Sequence, residues 1–151
     1  MLLIQNGRVL DPYTQMDALC DVLIGDDGVI AQVAEHIDAP AGCTVYDASG
    51  LTVSPGFVDG HVHFRDPGLT YKEDIQTGSA AAKKGGYTTV VTMANTKPPV
   101  DNVETVKYII AEGEKTGINV LPAACVSVGM KGQELTDMDA LKAAGAVGFT
   151  D

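Results

Sequence analysis

From Ser54 onward the sequence alternates between two kinds of segment, and this constrains the fold more than any other feature. Four runs are apolar and rich in β-branched residues: "GFVDGHVHF", "YTTVVTMAN", "INVLPAACVSV" and "AVGFTD". Between them lie "KEDIQTGSAAAKKGG", "DNVETVKYIIAEGEKTG" and "LTDMDALKAAG", which have helical composition. The second of these carries a capping-box pattern at Asp101 and Glu104. Val103, Val106, Ile109 and Ile110 form its apolar stripe, and Gly117 ends it. Gly85-Gly86 stops the first helix, while Thr136 caps the third and Gly145 stops it. The order is βαβαβαβ. Near-continuously apolar strands joined through helices predict a parallel sheet with helices outside. An open doubly wound sheet and a (β/α)8 barrel both use this rhythm. The G-x-G-x-x-G fingerprint of the open kind is missing after the first strand. The polar residues favour the barrel, because chemistry there gathers at the C-terminal ends of the strands. His61, His63 and Arg65 end the first strand, Asn95 the second and Asp151 the fourth.

Residues 1–54 read differently, as short strands and turns without a helix. Turns are expected at Asn6-Gly7 and at Asp47 to Gly50, and Gly25-Asp26-Asp27-Gly28 is a hairpin signal. The expected fold class is therefore α/β: a small β-sandwich-like N-terminal region over 1–54, then a barrel region over 55–151. Four strands are half of a barrel that needs roughly 250 residues. Residues 55–151 are thus expected to be the first four βα units of a truncated barrel.

Bulk properties exclude several classes of function. A net charge of -10 with 10 Lys+Arg argues against a nucleic-acid surface. No apolar run approaches the roughly 18 residues of a membrane span, and the N-terminus lacks the pattern of a signal peptide. Cys20, Cys43 and Cys125 are scattered, odd in number and form no C-x-x-C pair. No disulfide framework is expected, and a reducing, cytoplasmic location fits.

The chemistry concentrates in "FVDGHVHFRDPG". If the first strand runs through this motif, Asp59, His61, His63 and Arg65 share one face, with Val58, Val62 and Phe64 on the other. Two imidazoles on one face can reach one divalent ion, and neutral imidazole is a common zinc ligand. Asp151, ending a strand that returns to the same mouth, can ligate or bridge metal ions. Arg65 and Asn95 offer a forked cation and an amide, suited to a substrate carboxylate, although Asn95 in "ANTKPP" reads equally as a turn residue. His36 has no such company and reads as a surface residue.

The stretches "SPGFVDGHVHFRDPG", "TTVVTMANTKPPVDN" and "GAVGFTD" resemble the N-terminal part of the class I bacterial dihydroorotases, in the amidohydrolase superfamily. The likeness extends to "IQNGRVLDP", and Ala94 stands where the family usually has proline. The resemblance implies an enzyme of pyrimidine biosynthesis that reversibly cyclises N-carbamoyl-L-aspartate to L-dihydroorotate by a zinc-bound hydroxide mechanism, with one or two zinc ions per complete site. It implies metal ligation by His61, His63 and Asp151, and substrate binding by Arg65 and Asn95. The remaining histidine ligands and the general base are expected downstream of residue 151. By itself the 151-residue chain is therefore expected to be inactive. The open edges of a half-barrel predict pairing with the rest of its own chain or with a second copy in a homodimer. The resemblance adds aspartate transcarbamoylase as a partner.

Two other readings stay open. One is another cyclic-amide amidohydrolase of dihydropyrimidinase or allantoinase type, disfavoured by Arg65 after His63 and by the absence of lysine in "GFTD". The other is a non-catalytic structural or regulatory half-barrel subunit.

Overall fold

The computed structural model describes residues 1–151, which divide into two compact units, Met1–Pro55 and Gly56–Asp151. The first contains β1 (Leu2–Asp11), β2 (Met16–Ile24), β3 (Ile30–Ala34), β4 (Thr44–Asp47) and β5 (Thr52–Val53). They form one five-stranded sheet in the order β3-β2-β1-β4, with β5 also paired to β1. β1, β2 and β3 are antiparallel neighbours, whereas β4 and β5 run parallel to β1. The hairpin expected at Gly25 to Gly28 joins β2 to β3, closed by Gly25 N–H donating to the Val29 carbonyl at 2.8 Å. Val9, Cys20 and Val22 make a small core with Met16, Ile24 and Val53 packed against it. A sandwich needs a second layer, and residues 1–55 contribute only this one sheet.

Asn6-Gly7 does not form a turn. β1 runs straight through it, and the register to β2 shifts between Ile4 and Gly7. Asn6 takes φ 62°, so the pair forms a bulge within the strand. The cause lies on the next strand. Asp21 is buried, and its carboxylate accepts Asn6 N–H at 2.8 Å and Ile37 N–H at 2.9 Å. Burial pushes the Asp21 carboxyl upward, but these donors and Gln5 together outweigh it and hold the pKa below the ordinary value.

The second unit follows the expected rhythm. β6 (Phe57–Val62), β7 (Tyr87–Thr92), β8 (Asn119–Cys125) and β9 (Gly148–Thr150) form a parallel sheet in the order β6-β7-β8-β9. α1 (Ile75–Lys84), α2 (Val103–Gly113) and α3 (Met138–Ala144) connect successive strands. Val90, Ala124 and Cys125 from the strands pack with Ile75, Val106, Ile109 and Leu141 from the helices. Such burial is the main favourable term, each large side chain contributing about 1.5–3 kcal/mol.

Two caps differ from expectation. Asn102, not Asp101, caps α2 by accepting Thr105 N–H at 2.9 Å. Asp101 instead accepts Gly129 N–H at 2.8 Å, tying the start of α2 to the loop after β8. Asp137, not Thr136, caps α3 through Ala140 N–H at 3.0 Å, while the Thr136 hydroxyl donates to the Cys125 carbonyl at 2.7 Å. In both places adjacent polar residues compete, and a partner distant in sequence claims one of them. Gly145 stops α3 as expected, in the left-handed conformation at φ 115°.

All three cysteines are free; Cys20 and Cys125 are buried, and Cys43 is half-buried. Burial, reinforced by the charges of Asp101 and Asp151, pushes the Cys125 thiol up to about 11. Titration of the native chain with a thiol reagent is expected to modify Cys43 promptly and the other two only after denaturation. Rapid labelling of all three would contradict this burial. No helix is long and apolar enough to cross a membrane.

Candidate functional site

β6 ends at Val62, so the regular alternation does not extend to Arg65. Its pairing with β7 is irregular: Asp59 faces Val90 and Val62 faces Thr92, three steps along one strand against two along the other. Asp59 supports this irregularity from within, accepting His61 N–H at 3.0 Å. It is therefore a backbone brace for the motif. Pairing resumes when Met93 N–H donates to the Val62 carbonyl at 2.9 Å.

The two imidazoles meet just beyond this point. Their rings are edge to face, with centroids 5.1 Å apart, and their Nε2 atoms lie 3.2 Å apart. A tetrahedral ion with Zn–N bonds of about 2.0–2.1 Å separates two of its nitrogen ligands by about 3.3 Å. The pair thus fits one edge of a zinc coordination tetrahedron. His63 Nδ1 lies 2.9 Å from Asn95 Oδ1. Phe64, the next residue, is buried in the core and anchors the backbone carrying the ring.

A cavity of about 150 Å³ opens beside these groups. His61, His63, Asn95 and Asp151 line it, with Met93 and Met130 as apolar neighbours. Asp151 shares this cavity, but its carboxylate is held from the side of β8. Oδ1 accepts the N–H groups of Val126 and Ser127, each at 3.0 Å, and Oδ2 accepts the Ser127 hydroxyl. These bonds, the hydroxyl's first, hold the Asp151 pKa below the usual carboxylate value. A carboxylate offers about four lone-pair positions, so three donors leave one for a cation. No three His, Cys, Asp or Glu side chains converge on a single point. The structure brings His61, His63 and Asn95 into contact and leaves Asp151 facing them across the cavity.

Arg65 departs from its expected place. It takes φ 63°, its carbonyl accepts Leu69 N–H at 2.9 Å, and the chain turns away there. It neither lines the cavity nor shares a strand face with the histidines. His36 is an exposed surface residue, as expected, beside Asp21 and Asp38.

Two further residues, Ser127 and Asp66, shape this region. Ser127, buried beyond the end of β8, orients Asp151 and accepts Gly132 N–H at 2.8 Å. Its signal was available: it is the polar residue in "CVSV", at a strand end comparable to those of Asn95 and Asp151. Asp66, also buried, accepts the Tyr108 hydroxyl at 2.9 Å and Ile75 N–H at 3.3 Å, pinning the histidine loop to α2 and α1. Burial, followed by Asp66, pushes the Tyr108 phenol up to about 12, so it stays a donor. Nothing local in "RDPG" announces that partnership across 42 residues.

Residues 50–151 match the model of a family described as dihydro-orotase-like. Across its whole length the chain is 53% identical to a dihydroorotase of Sulfurihydrogenibium sp. (strain YO3AOP1), covering 36% of that protein. It is 52% identical over its whole length to a dihydroorotase of Streptococcus pneumoniae, covering 35% of it. The chain spans about a third of the length of these curated relatives. Among solved structures, an L-hydantoinase (dihydropyrimidinase) from Arthrobacter aurescens superposes with TM-score 0.77 at 26% identity, over 98% of this chain and 32% of that one. A crystal structure of a dihydroorotase superposes with TM-score 0.65 at 20% identity, over 99% and 42%, a likeness of fold alone.

Proposed function

This chain belongs to the dihydro-orotase-like family, and from that premise we propose that it forms part of a dihydroorotase, interconverting N-carbamoyl-L-aspartate and L-dihydroorotate. The observation that carries this reading is the convergence of the two Nε2 atoms at 3.2 Å, at the end of a parallel strand and beside Asn95, in a chain about half identical to dihydroorotases throughout. In this reading Gly56–Asp151 is the first half of a (β/α)8 barrel, and Met1–Pro55 is part of a composite β-domain. The cytoplasm is the compartment proposed.

His61 and His63 would hold zinc through Nε2, with Asp151 as a further ligand through its remaining lone pair. When bound, zinc supplies Lewis acidity toward the substrate carbonyl and toward water. The chain's own residues hold and aim these groups. Ser127 and the backbone at Val126 keep Asp151 ionised and aimed at the cavity. The Asn95 amide holds the substrate carboxylate, with the Arg65 guanidinium, outside the cavity lining here, as the second donor proposed. The apolar sides of Met93 and Met130 narrow the space open to water. The general acid and base belong to residues outside this chain, as do the partners that complete the barrel: the rest of a longer polypeptide, a second copy, or aspartate transcarbamoylase.

The test is an assay of the longer zinc-loaded protein that contains this sequence, following dihydroorotate and N-carbamoyl-L-aspartate by chromatography. Interconversion in both directions is expected, with hydantoin and allantoin turned over far more slowly. The superposition on an L-hydantoinase favours a second reading, a hydantoinase-type cyclic amidase. Preference for hydantoin over dihydroorotate would select it.

A further inference from the structure

We infer that Asn95 is a positioning residue for a metal ligand: its Oδ1 sets the tautomer of His63, and this leaves Nδ2 free for the carboxylate role already proposed for it. The inference rests on the metal-site reading for its purpose, but the geometry behind it does not. His63 Nδ1 and Asn95 Oδ1 are 2.9 Å apart, and His63 Nε2 is 3.2 Å from His61 Nε2. An amide oxygen only accepts, so Nδ1 must carry the hydrogen. A neutral imidazole then has its lone pair on Nε2, the nitrogen that faces His61 Nε2.

Both partners stand on backbone that is pinned. The Ala94 carbonyl accepts Thr96 N–H at 2.9 Å and Val100 N–H at 3.0 Å, and Lys97 N–H donates to the Pro67 carbonyl at 3.0 Å. Asn95 is not among the residues with positive φ, and its side chain caps nothing in its own loop. The turn-forming properties of asparagine therefore do not account for its presence. With Oδ1 committed, the amide still has two N–H groups, and Nδ2 has no partner within the chain. A carboxylate needs donors, so one residue links the orientation of a metal ligand to recognition of an anion. Aspartate at this position would keep the first role and oppose the second.

Long-range ¹H–¹⁵N NMR of the metal-free 151-residue chain reads the tautomer directly. The spectra are recorded well above the ordinary imidazole range, where a tautomer rather than a charge is read. The expected result is the Nδ1–H form in the wild type, its loss in Asn95→Ala and its retention in Asn95→Asp. In the longer protein, Asn95→Ala is expected to weaken Co²⁺ affinity by about 10- to 100-fold. Asn95→Asp should leave Co²⁺ affinity near wild type while raising KM. An Nε2–H form in the wild type would overturn the inference, as would an unchanged tautomer and Co²⁺ affinity in Asn95→Ala. Failure of the longer protein to act on dihydroorotate would sink the functional reading and leave the tautomer result standing.

Discussion

Purified by itself, the 151-residue chain should convert dihydroorotate no faster than buffer, even with excess zinc. Hydrolysis of a cyclic amide needs an ion held firmly, a base for water and an acid for the leaving nitrogen. In the cavity only His61 and His63 present converging ligand atoms, and Asp151 has a single lone pair to add. No three ligating side chains meet at one point. Binding affinity of a structural or catalytic ion is built from ligand count and ligand charge, so occupancy should be weak. Nor does the cavity hold a further carboxylate or imidazole to move protons. Enzymes accelerate such reactions by roughly 10⁶-fold or more, and that whole factor is the expected deficit. The comparison is between the chain alone and the longer protein, each dialysed against zinc and assayed by chromatography. Turnover by the chain within about a hundredfold of the longer protein would refute the count of functional groups given above.

Gly68→Ala should be the most damaging small substitution in the second unit. Gly68 has φ 86°, and a Cβ there would lie 1.7 Å from the Lys97 backbone oxygen. The left-handed conformation costs alanine roughly 1–2 kcal/mol, and overpacking adds about 1–3 kcal/mol. A backbone oxygen cannot rotate aside as a side-chain tip can, so the two loops must separate. A loss of about 3 kcal/mol lowers Tm by roughly 6–12 °C in a chain of this size. The same separation carries the loop after His63 away from the loop bearing Asn95, because Lys97 N–H to the Pro67 carbonyl is the bond that joins them. Gly148→Ala is the control: nothing lies within 4 Å of its Cβ position, and its φ is not positive. A thermal scan showing equal, small shifts for both variants would argue against this close approach.

These consequences show which features were local. The βαβαβαβ rhythm was readable because apolar periodicity and glycine stops act within one segment. The hairpin at Gly25 to Gly28 was readable for the same reason. The caps of α2 and α3 lie one residue beyond the positions the local pattern predicts, because Asp101 and Thr136 are claimed by Gly129 and Cys125 from another part of the fold. Asn6-Gly7 looks like a turn from composition alone, yet Asp21 on the next strand converts it to a bulge. Counting in twos places Arg65 on the histidines' face, and that count lapses where β6 shifts register and ends.

Two imidazoles two residues apart near the end of the first strand of a parallel sheet, with an amide and a carboxylate ending later strands, are legible in the amino-acid order. Spacing along the chain and hydrophobic pattern suffice for that. How these groups face one another depends on the assembled fold. It turned the two Nε2 atoms together, gave Asn95 Oδ1 to His63 across 32 residues, and bound Asp151 to Ser127 across 24. Such bonds demand positions accurate to a few tenths of an ångström. That accuracy comes from the buried core and from the pinned loops that hold each backbone in place, and no stretch of sequence carries it alone.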